Sequence, residues 1–242
     1  MSSYVISDIH GNSNVFKLLK KAKVSFPEDI LYVNGDIVDR GKNPLGVFTE
    51  LLKLQKEYPD NIVILLGNHE LFLKMYLEGN LSEQEYRAFG GTNTINQLKD
   101  YYPDEVSRKA LVDYIDSMPV YVNVFSPIFG DTVITHAGLD ADHICSGPDK
   151  IDVIANIMAA YLSDSYNYMI GCDLQRGYLP AAVLNNLDKF MIVGHVPTIH
   201  LEKTKTVIIK KHYMDIDTGS SYFGGRLSLY RIDDGKVFQV KG

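Results

Sequence analysis

Short apolar runs alternate with longer amphipathic stretches along the first part of the chain, and the two periods predict different elements. Tyr4–Ser7 reads as a β-strand, and Asn12 to about Lys23 as a helix with Val15, Leu18, Leu19 and Ala22 on one face. Ile30–Val33 is the next strand and Pro44–Gln55 the next helix, with Val47, Leu51, Leu52 and Leu54 apolar. Ile62–Leu66 is a third strand, after which a helix opens near His69. A βαβαβ start of this kind predicts parallel strands buried on both faces, with functional loops at their C-terminal ends.

From Leu71 to Ser117 the pattern turns helical and polar, broken at Gly90-Gly91. Val120–Phe125 and Asp131–Thr135, joined through Pro127 and Gly130, read as a hairpin. A second mostly helical stretch, about 149 to 187, precedes the strand Phe190–Val193. The tail runs β-like at Thr206–Ile209, Tyr213–Ile216, Leu227–Ile232 and Val237–Val240, which predicts a second, largely antiparallel sheet. The fold class expected is α/β, a four-layer α/β/β/α sandwich of two mixed sheets. One domain, 1–242, is expected, with helical insertions at about 71–117 and 149–187.

Composition narrows the classes of function. With 242 residues, 45% hydrophobic and 22% charged, the chain can bury a substantial core, and disorder is excluded. A formal charge of −6 argues against a broad nucleic-acid surface, though not against a local basic pocket. Cys145 and Cys172 read as free thiols of a reducing compartment. The N-terminus has no signal-peptide pattern, and no stretch is apolar for long enough to span a bilayer. A soluble cytoplasmic protein, with no membrane partner, is expected.

Candidate chemistry sits where the strands end. Asp8-x-His10, Gly35-Asp36-x-x-Asp39-Arg40-Gly41, Gly67-Asn68-His69-Glu70, His136 and Gly194-His195 occur in that order, most of them after an apolar strand-like run. Carboxylate oxygen, amide oxygen and imidazole nitrogen are ligands for divalent Mn, Fe, Co, Ni or Zn, and the lack of thiolates in the motifs argues against a structural zinc site.

These motifs resemble those of the calcineurin-like metallophosphoesterases, specifically the Ser/Thr phosphoprotein phosphatase branch in its bacterial and phage form. The likeness runs from Ser7 to His195, and the tail Asp217-Thr218-Gly219 through Gly224-Gly225-Arg226-Leu227 also resembles small bacterial and phage members. The resemblance implies two divalent metal ions, with manganese foremost and iron, zinc, cobalt or nickel admissible. The first would take Asp8, His10 and Asp36, and the second Asp36, Asn68, His136 and His195. It also implies direct attack on phosphorus by a hydroxide shared between the metals. Two such ions bring four positive charges; Asp8, Asp36 and the hydroxide remove three, leaving a net charge suited to a phosphate dianion.

Further roles follow from the same resemblance. Arg40, Asn68 and Arg176, the last being the single Arg between His136 and His195, would bind the substrate phosphate. His69 is the implied general acid, held in its tautomer by Asp39. Glu70 is expected to brace the loop or cap the helix. Ser7 stands where the family usually has Gly, and is expected to leave ligation untouched. Lys42, where many relatives carry Pro, and His143, His200 and His212, which match no motif, read as ordinary surface or satisfied residues. Tyr161, Tyr166 and Tyr168 read as helix packing.

The expected activity is metal-dependent hydrolysis of phosphomonoesters, foremost phosphoserine and phosphothreonine in proteins. The alternative is symmetrical hydrolysis of diadenosine tetraphosphate, or another phosphorylated small molecule, because that group shares every motif used. A phosphate-sensing module without turnover is disfavoured, since no implied ligand or acid is missing.

Overall fold

Period-two alternation in β1 (Ser3–Ile6), β2 (Ile30–Asn34) and β3 (Ile62–Leu65) gives each strand two apolar faces, and both are covered. The computed structural model describes residues 1–145 and 150–242. Tyr4, Ile6, Leu31, Val33, Ile62 and Ile64 face one core, shared with α1 (Asn14–Ala22) and α2 (Pro44–Glu57). Val5, Tyr32 and Leu65 face a second core, which they share with Ile134, Phe190, Ile192 and Met214 of the other sheet. This second core is the seam between two sheets, closed at one side by the stacked rings of Phe129 and Phe190, 3.9 Å apart.

After β3 come α3 (Asn68–Leu77), α4 (Glu83–Ala88), α5 (Thr92–Tyr101) and α6 (Glu105–Ser117), then the hairpin β4 (Tyr121–Ser126) and β5 (Gly130–Thr135). The helices α7 (Val153–Ser163), α8 (Ser165–Ile170), α9 (Asp173–Arg176) and α10 (Ala181–Leu184) lead to β6 (Phe190–Val193) and α11 (Thr198–Leu201). The start expected for this second helical stretch, about 149, lies outside the described residues. The chain ends with β7 (Ile208–Ile209), β8 (Tyr213–Asp215), β9 (Arg226–Arg231) and β10 (Val237–Lys241).

The sheets are ordered β10-β9-β1-β2-β3 and β4-β5-β6-β8-β7, and both are mixed. Parallel β1-β2-β3 pairing matches the βαβαβ reading. The tail differs from expectation: it does not form a sheet of its own. β8 extends the second sheet parallel to β6, whereas β9 crosses to the first sheet and pairs antiparallel with β1. Each of the tail strands β8 and β9 serves both cores. Met214 of β8 and Tyr230 of β9 fill the seam, while Tyr213 of β8 and Leu227 and Leu229 of β9 belong to the other core. Among the described residues no helix is long and apolar enough to cross a membrane.

One polar residue ties the two sheets together beneath the strand ends. Asn34 at the end of β2 is buried, and its Nδ2 donates to the Thr135 carbonyl of β5 at 3.0 Å. Its own carbonyl accepts from Ser7 Oγ at 2.9 Å and lies 2.9 Å from His136 Nδ1. Replacing it leaves the Thr135 carbonyl buried without that donor. Asn34→Ala is therefore expected to lower unfolding free energy by about 1–3 kcal/mol. Urea denaturation checks this, and an unchanged midpoint would show that the tie carries no stability.

Candidate metal centre

The loops following β1 and β2 are interlocked through their backbones before any side chain is considered. Asp8 N donates to Gly35 O, His10 N to Asp36 O and Gly11 N to Ile37 O, at 3.2, 2.9 and 2.7 Å. Asp8, His10, Asp36, Asp39, Arg40 and His195 all have positive φ, between 47° and 74°. Non-glycine residues rarely occupy that region, and such strain persists where the surroundings over-determine it. Gly35 shows why the packing is so close: a Cβ there would lie 2.6 Å from the Cα of Gly67 in the next loop.

Glu70, one turn into α3, is the brace. Its Oε1 accepts from Ile37 N and Val38 N at 2.8 and 3.1 Å, and its Oε2 from Asp36 N and Gly67 N at 2.8 and 3.1 Å. The expectation of a loop brace is met. Burial and the neighbouring Asp36 charge push the Glu70 carboxyl up to about 7, against the pull of those N–H groups.

Three histidines converge on Asp36, each held by a carbonyl behind it. His10 Nδ1 lies 3.0 Å from Val38 O, His136 Nδ1 2.9 Å from Asn34 O, and His195 Nε2 3.2 Å from Ile170 O. With those nitrogens donating, His10 Nε2, His136 Nε2 and His195 Nδ1 present lone pairs, as outer carbonyls do for metal-binding imidazoles. Two ligand groups result, His10-Asp36-His69 and Asp36-His136-His195, and within each the ligand atoms lie within 4.8 Å of one another. Asp36 belongs to both.

The fit to cations is tested by the atoms left without partners. Asn68 Oδ1 lies 3.0 Å from His136 Nε2 and 2.8 Å from His195 Nδ1. Hydrogen bonding alone would favour the reversed amide, whose nitrogen would donate to both rings and to Asp36. Oxygen, imidazole and carboxylate lone pairs facing one point are the donor set of a divalent ion. Asp8 Oδ1 is buried without a partner, while Asp8 Oδ2 accepts from His195 N at 3.1 Å and from Ser7 Oγ. Ser7 thus contacts the implied ligand through Oδ2 and leaves Oδ1 free.

Electrostatics point the same way. Burial opposes the charge on His136, yet Asp36 and Asp8 raise its pKa to about 10. Burial and His136 together lower His195 to about 3. Burial also acts to raise Asp36, but His136, His69 and His10 hold it well below the usual carboxylate range. Burial, only partly offset by His136, lifts Asp8 to about 6. Asp36 thus keeps its own charge and holds one on His136, and that charge suppresses a second at His195.

His69 is positioned differently from the other histidines. Its Nδ1 lies 2.8 Å from Asp39 Oδ2, and its buried Nε2 has no partner. Burial would lower its pKa, but Asp36 and Asp39 raise it. Asp39 is itself held from the helical insertion, a contact without a readable signal in the sequence: Tyr86 Oη and Thr94 Oγ1 donate to its Oδ1 at 2.6 and 2.5 Å. Gly90, at the break between α4 and α5, accepts from Arg40 N at 2.9 Å. His69 also falls within the first ligand group, where Asp8 was expected.

Arg40 is exposed at the rim of this assembly. One guanidinium nitrogen lies 3.2 Å from His10 Nε2 and 3.4 Å from Tyr222 Oη, with the guanidinium 5.7 Å from the Tyr222 ring centre. Asp217 Oδ1 accepts from Gly219 N at 2.9 Å, which orders the turn that carries Tyr222. Lys42 is exposed and lines a neighbouring cavity that also includes His10 and Arg40.

Arg176 is not brought to this cleft. It is exposed at the end of α9 and lines a separate cavity of about 690 Å³ with Tyr178, His200 and Lys210. Its neighbour Gln175 is the residue that turns inward, donating to the carbonyls of Ala137 and Gly194 at 3.0 and 3.1 Å. The left-handed Gly177 then ends the helix, leaving Arg176 on the outside. His200 stacks edge-on against Tyr222 at 4.8 Å, while His143 and His212 are satisfied by Asp140 and Asn185. Tyr168 is buried, with its hydroxyl on Gly138 O at 2.9 Å, and Tyr166 packs on Phe72, as expected of helix packing. Cys145 and Cys172 are free.

Comparison with known proteins agrees with the geometry. The profile of the calcineurin-like phosphoesterase family matches residues 1–234. The chain is 25% identical to a symmetrical bis(5'-nucleosyl)-tetraphosphatase of Dechloromonas aromatica, over 99% of this chain and 96% of that protein. Among solved structures, a candidate diadenosine tetraphosphatase superposes with TM-score 0.59 at 17% identity, covering 99% of this chain and 93% of that one. A serine/threonine phosphatase from Saccharomyces cerevisiae gives 0.63 at 14% identity, over 100% and 80% of the two chains. At those identities the two structures speak for the fold.

The brace yields a prediction. Glu70→Ala removes the acceptor of four N–H groups, three of them on the Asp36 loop. It is expected to cost about 2–4 kcal/mol of stability and to weaken Mn²⁺ binding about 10–100-fold. Denaturation and calorimetric titration with Mn²⁺ measure the two effects; undiminished Mn²⁺ affinity would show that the loop holds its shape without Glu70.

Proposed function

We propose that this chain, which belongs to the calcineurin-like phosphoesterase family, cleaves dinucleoside tetraphosphates symmetrically into two nucleoside diphosphates. The carrying observation is the likeness, over nearly the full length of both chains, to a protein named for that reaction. The geometry supports the reading in its coarser part, a metal-dependent phosphoesterase. The expectation of a phosphoserine or phosphothreonine substrate stands behind it, because it rests on motifs common to both groups and on a likeness of fold.

Members of the family hold two divalent ions. Here His10, Asp36 and Asp8 would hold one, and Asp36, Asn68, His136 and His195 the other. Ions so held supply Lewis acidity and acidify the water that hydrolysis consumes. The chain's own residues do the rest. Arg40, exposed at the cleft beside His10, would bind two oxygens of one phosphate through its planar fork. His69, with Nδ1 fixed by Asp39, directs Nε2 into the cleft and would hand its proton to the departing diphosphate oxygen. Tyr86 and Thr94 position Asp39 and act only through it. The reaction balances as one water added and one central P–O–P bond broken, giving two nucleoside diphosphates.

Incubation of the Mn²⁺-loaded protein with diadenosine tetraphosphate should yield ADP alone, resolved by ion-exchange chromatography. Formation of ATP with AMP, or phosphate release from phosphopeptides without dinucleotide cleavage, would overturn the assignment. His69→Asn is expected to lower kcat about 10²-fold, near the low end of what general acids supply, since a diphosphate leaves readily. Its bound metal, measured by atomic emission, should not change. Loss of a metal ion would instead make His69 a ligand, as its place beside His10 and Asp36 allows.

A further inference from the structure

The cavity that opens onto the candidate acid is aromatic at its outer end. It measures about 470 Å³, within the range of small-ligand sites, and Arg40, Asn68 and His69 lie at its polar side. Phe72, Phe89 and Tyr222 also line it. The rings are in series. His69 meets Phe72 edge-on at 5.4 Å, and Phe72 stacks on Phe89 at 4.6 Å with the planes 26° apart. Phe72 is buried, whereas Phe89 is 37% exposed and so keeps ring surface free.

We propose that this slot is a nucleobase subsite, in which Phe89 stacks the base of the nucleotide whose phosphate Arg40 holds. The inference rests on the nucleotide reading above and deepens it. Three features favour a base. Aromatic faces stack any nucleobase, independently of its edge chemistry. The free ring is Phe89, one ring further from His69 than Phe72, so the slot suits a ring set away from the reacting phosphate by a ribose and the phosphate next to it. A phenyl ring bonded directly to phosphate, as in phosphotyrosine, would sit beside His69 and fall short of Phe89. A phosphoserine side chain has no ring to place there.

The surrounding geometry fixes the slot relative to the phosphate end. Phe89 immediately precedes Gly90, whose carbonyl accepts from Arg40 N at 2.9 Å. Gly90 has φ +109°, and a Cβ there would come within 2.9 Å of Arg40 Cγ. The residue carrying the ring and the residue carrying the guanidinium are thus locked through one backbone contact. Tyr222 holds Arg40 from its other neighbour, the turn before β9.

The test compares AMP with ribose 5-phosphate, which differ only by the base, using calorimetric titration of the full-length Mn²⁺-loaded protein. Wild type is expected to bind AMP about tenfold more tightly. Phe89→Leu, which keeps apolar packing on Phe72 without a π face, should abolish that preference, and Phe89→Tyr should retain it. In parallel, the KM for diadenosine tetraphosphate should rise about tenfold in Phe89→Leu, with kcat within about twofold. A wild-type protein without preference for AMP, or a preference that survives Phe89→Leu, overturns the subsite. So does an equal rise in KM for phosphotyrosine, which would assign the ring to an aryl phosphate. If the base preference depends on Phe89 but diadenosine tetraphosphate is not cleaved, the subsite stands and the proposed reaction fails. If diadenosine tetraphosphate is cleaved but the preference is indifferent to Phe89, the reaction stands and the subsite fails.

Discussion

One buried carboxylate sets the frame on which the candidate centre is built. Glu70 gathers the N–H groups of Asp36, Ile37, Val38 and Gly67, and thereby joins the loops after β2 and β3. Buried backbone donors must be paired, and at these loops neither sheet nor helix supplies the acceptors. Because α3 begins immediately after β3, a single side chain one turn into the helix can reach back over both loops. The left-handed residues of the same loops are tolerable only in such a frame. Asp36 then stands at a fixed point, and every other group of the centre is measured from it.

The distribution of charge follows from that fixed point. Asp36 is the carboxylate kept well below its ordinary range, although burial works against it, because three imidazoles face it. Other acids nearby are pushed the opposite way. Asp217 is raised by burial, then by Asp8 and Asp36, and Asp215 by burial and Asp217; Asp215 Oδ2 has no partner at all. Burial and like charge thus oppose ionisation of Asp215 and Asp217, while the facing imidazoles favour it at Asp36.

Legibility in the sequence tracks how local each constraint is. Strand, loop and ligand are contiguous at Asp8, Asp36 and Asn68, so the period of the strand and the polar residue after it are read together. Asp36, Asn68, His136 and His195 come together because each follows a strand end or begins the helix after one, a placement the sequence pattern carries. The tail was misassigned because alternation tells which face of a strand is apolar and not which sheet receives it. Arg176 was misplaced for a related reason: on a four-residue helix, one position separates the inward Gln175 from the outward Arg176. Tyr86 and Thr94 left no signal, since their contact with Asp39 joins residues 47 and 55 positions apart within a polar helical stretch.

That same stretch carries more than structure. Between α4 and α5 it presents Gly90 to Arg40 and Phe89 to the cleft, while Tyr86 and Thr94 flank them and hold Asp39. The contacts that hold Asp39 against His69 and the exposed ring thus hang from one short helix pair, packed onto the loop after β2. The strand-end motifs supply phosphate chemistry common to many substrates. A chain that changed this helix pair would alter the cavity's aromatic end and loosen Asp39 in one step. The proposed base subsite and the hold on Asp39 are for that reason mechanically linked, through Phe89 and Gly90 on one side and Tyr86 and Thr94 on the other.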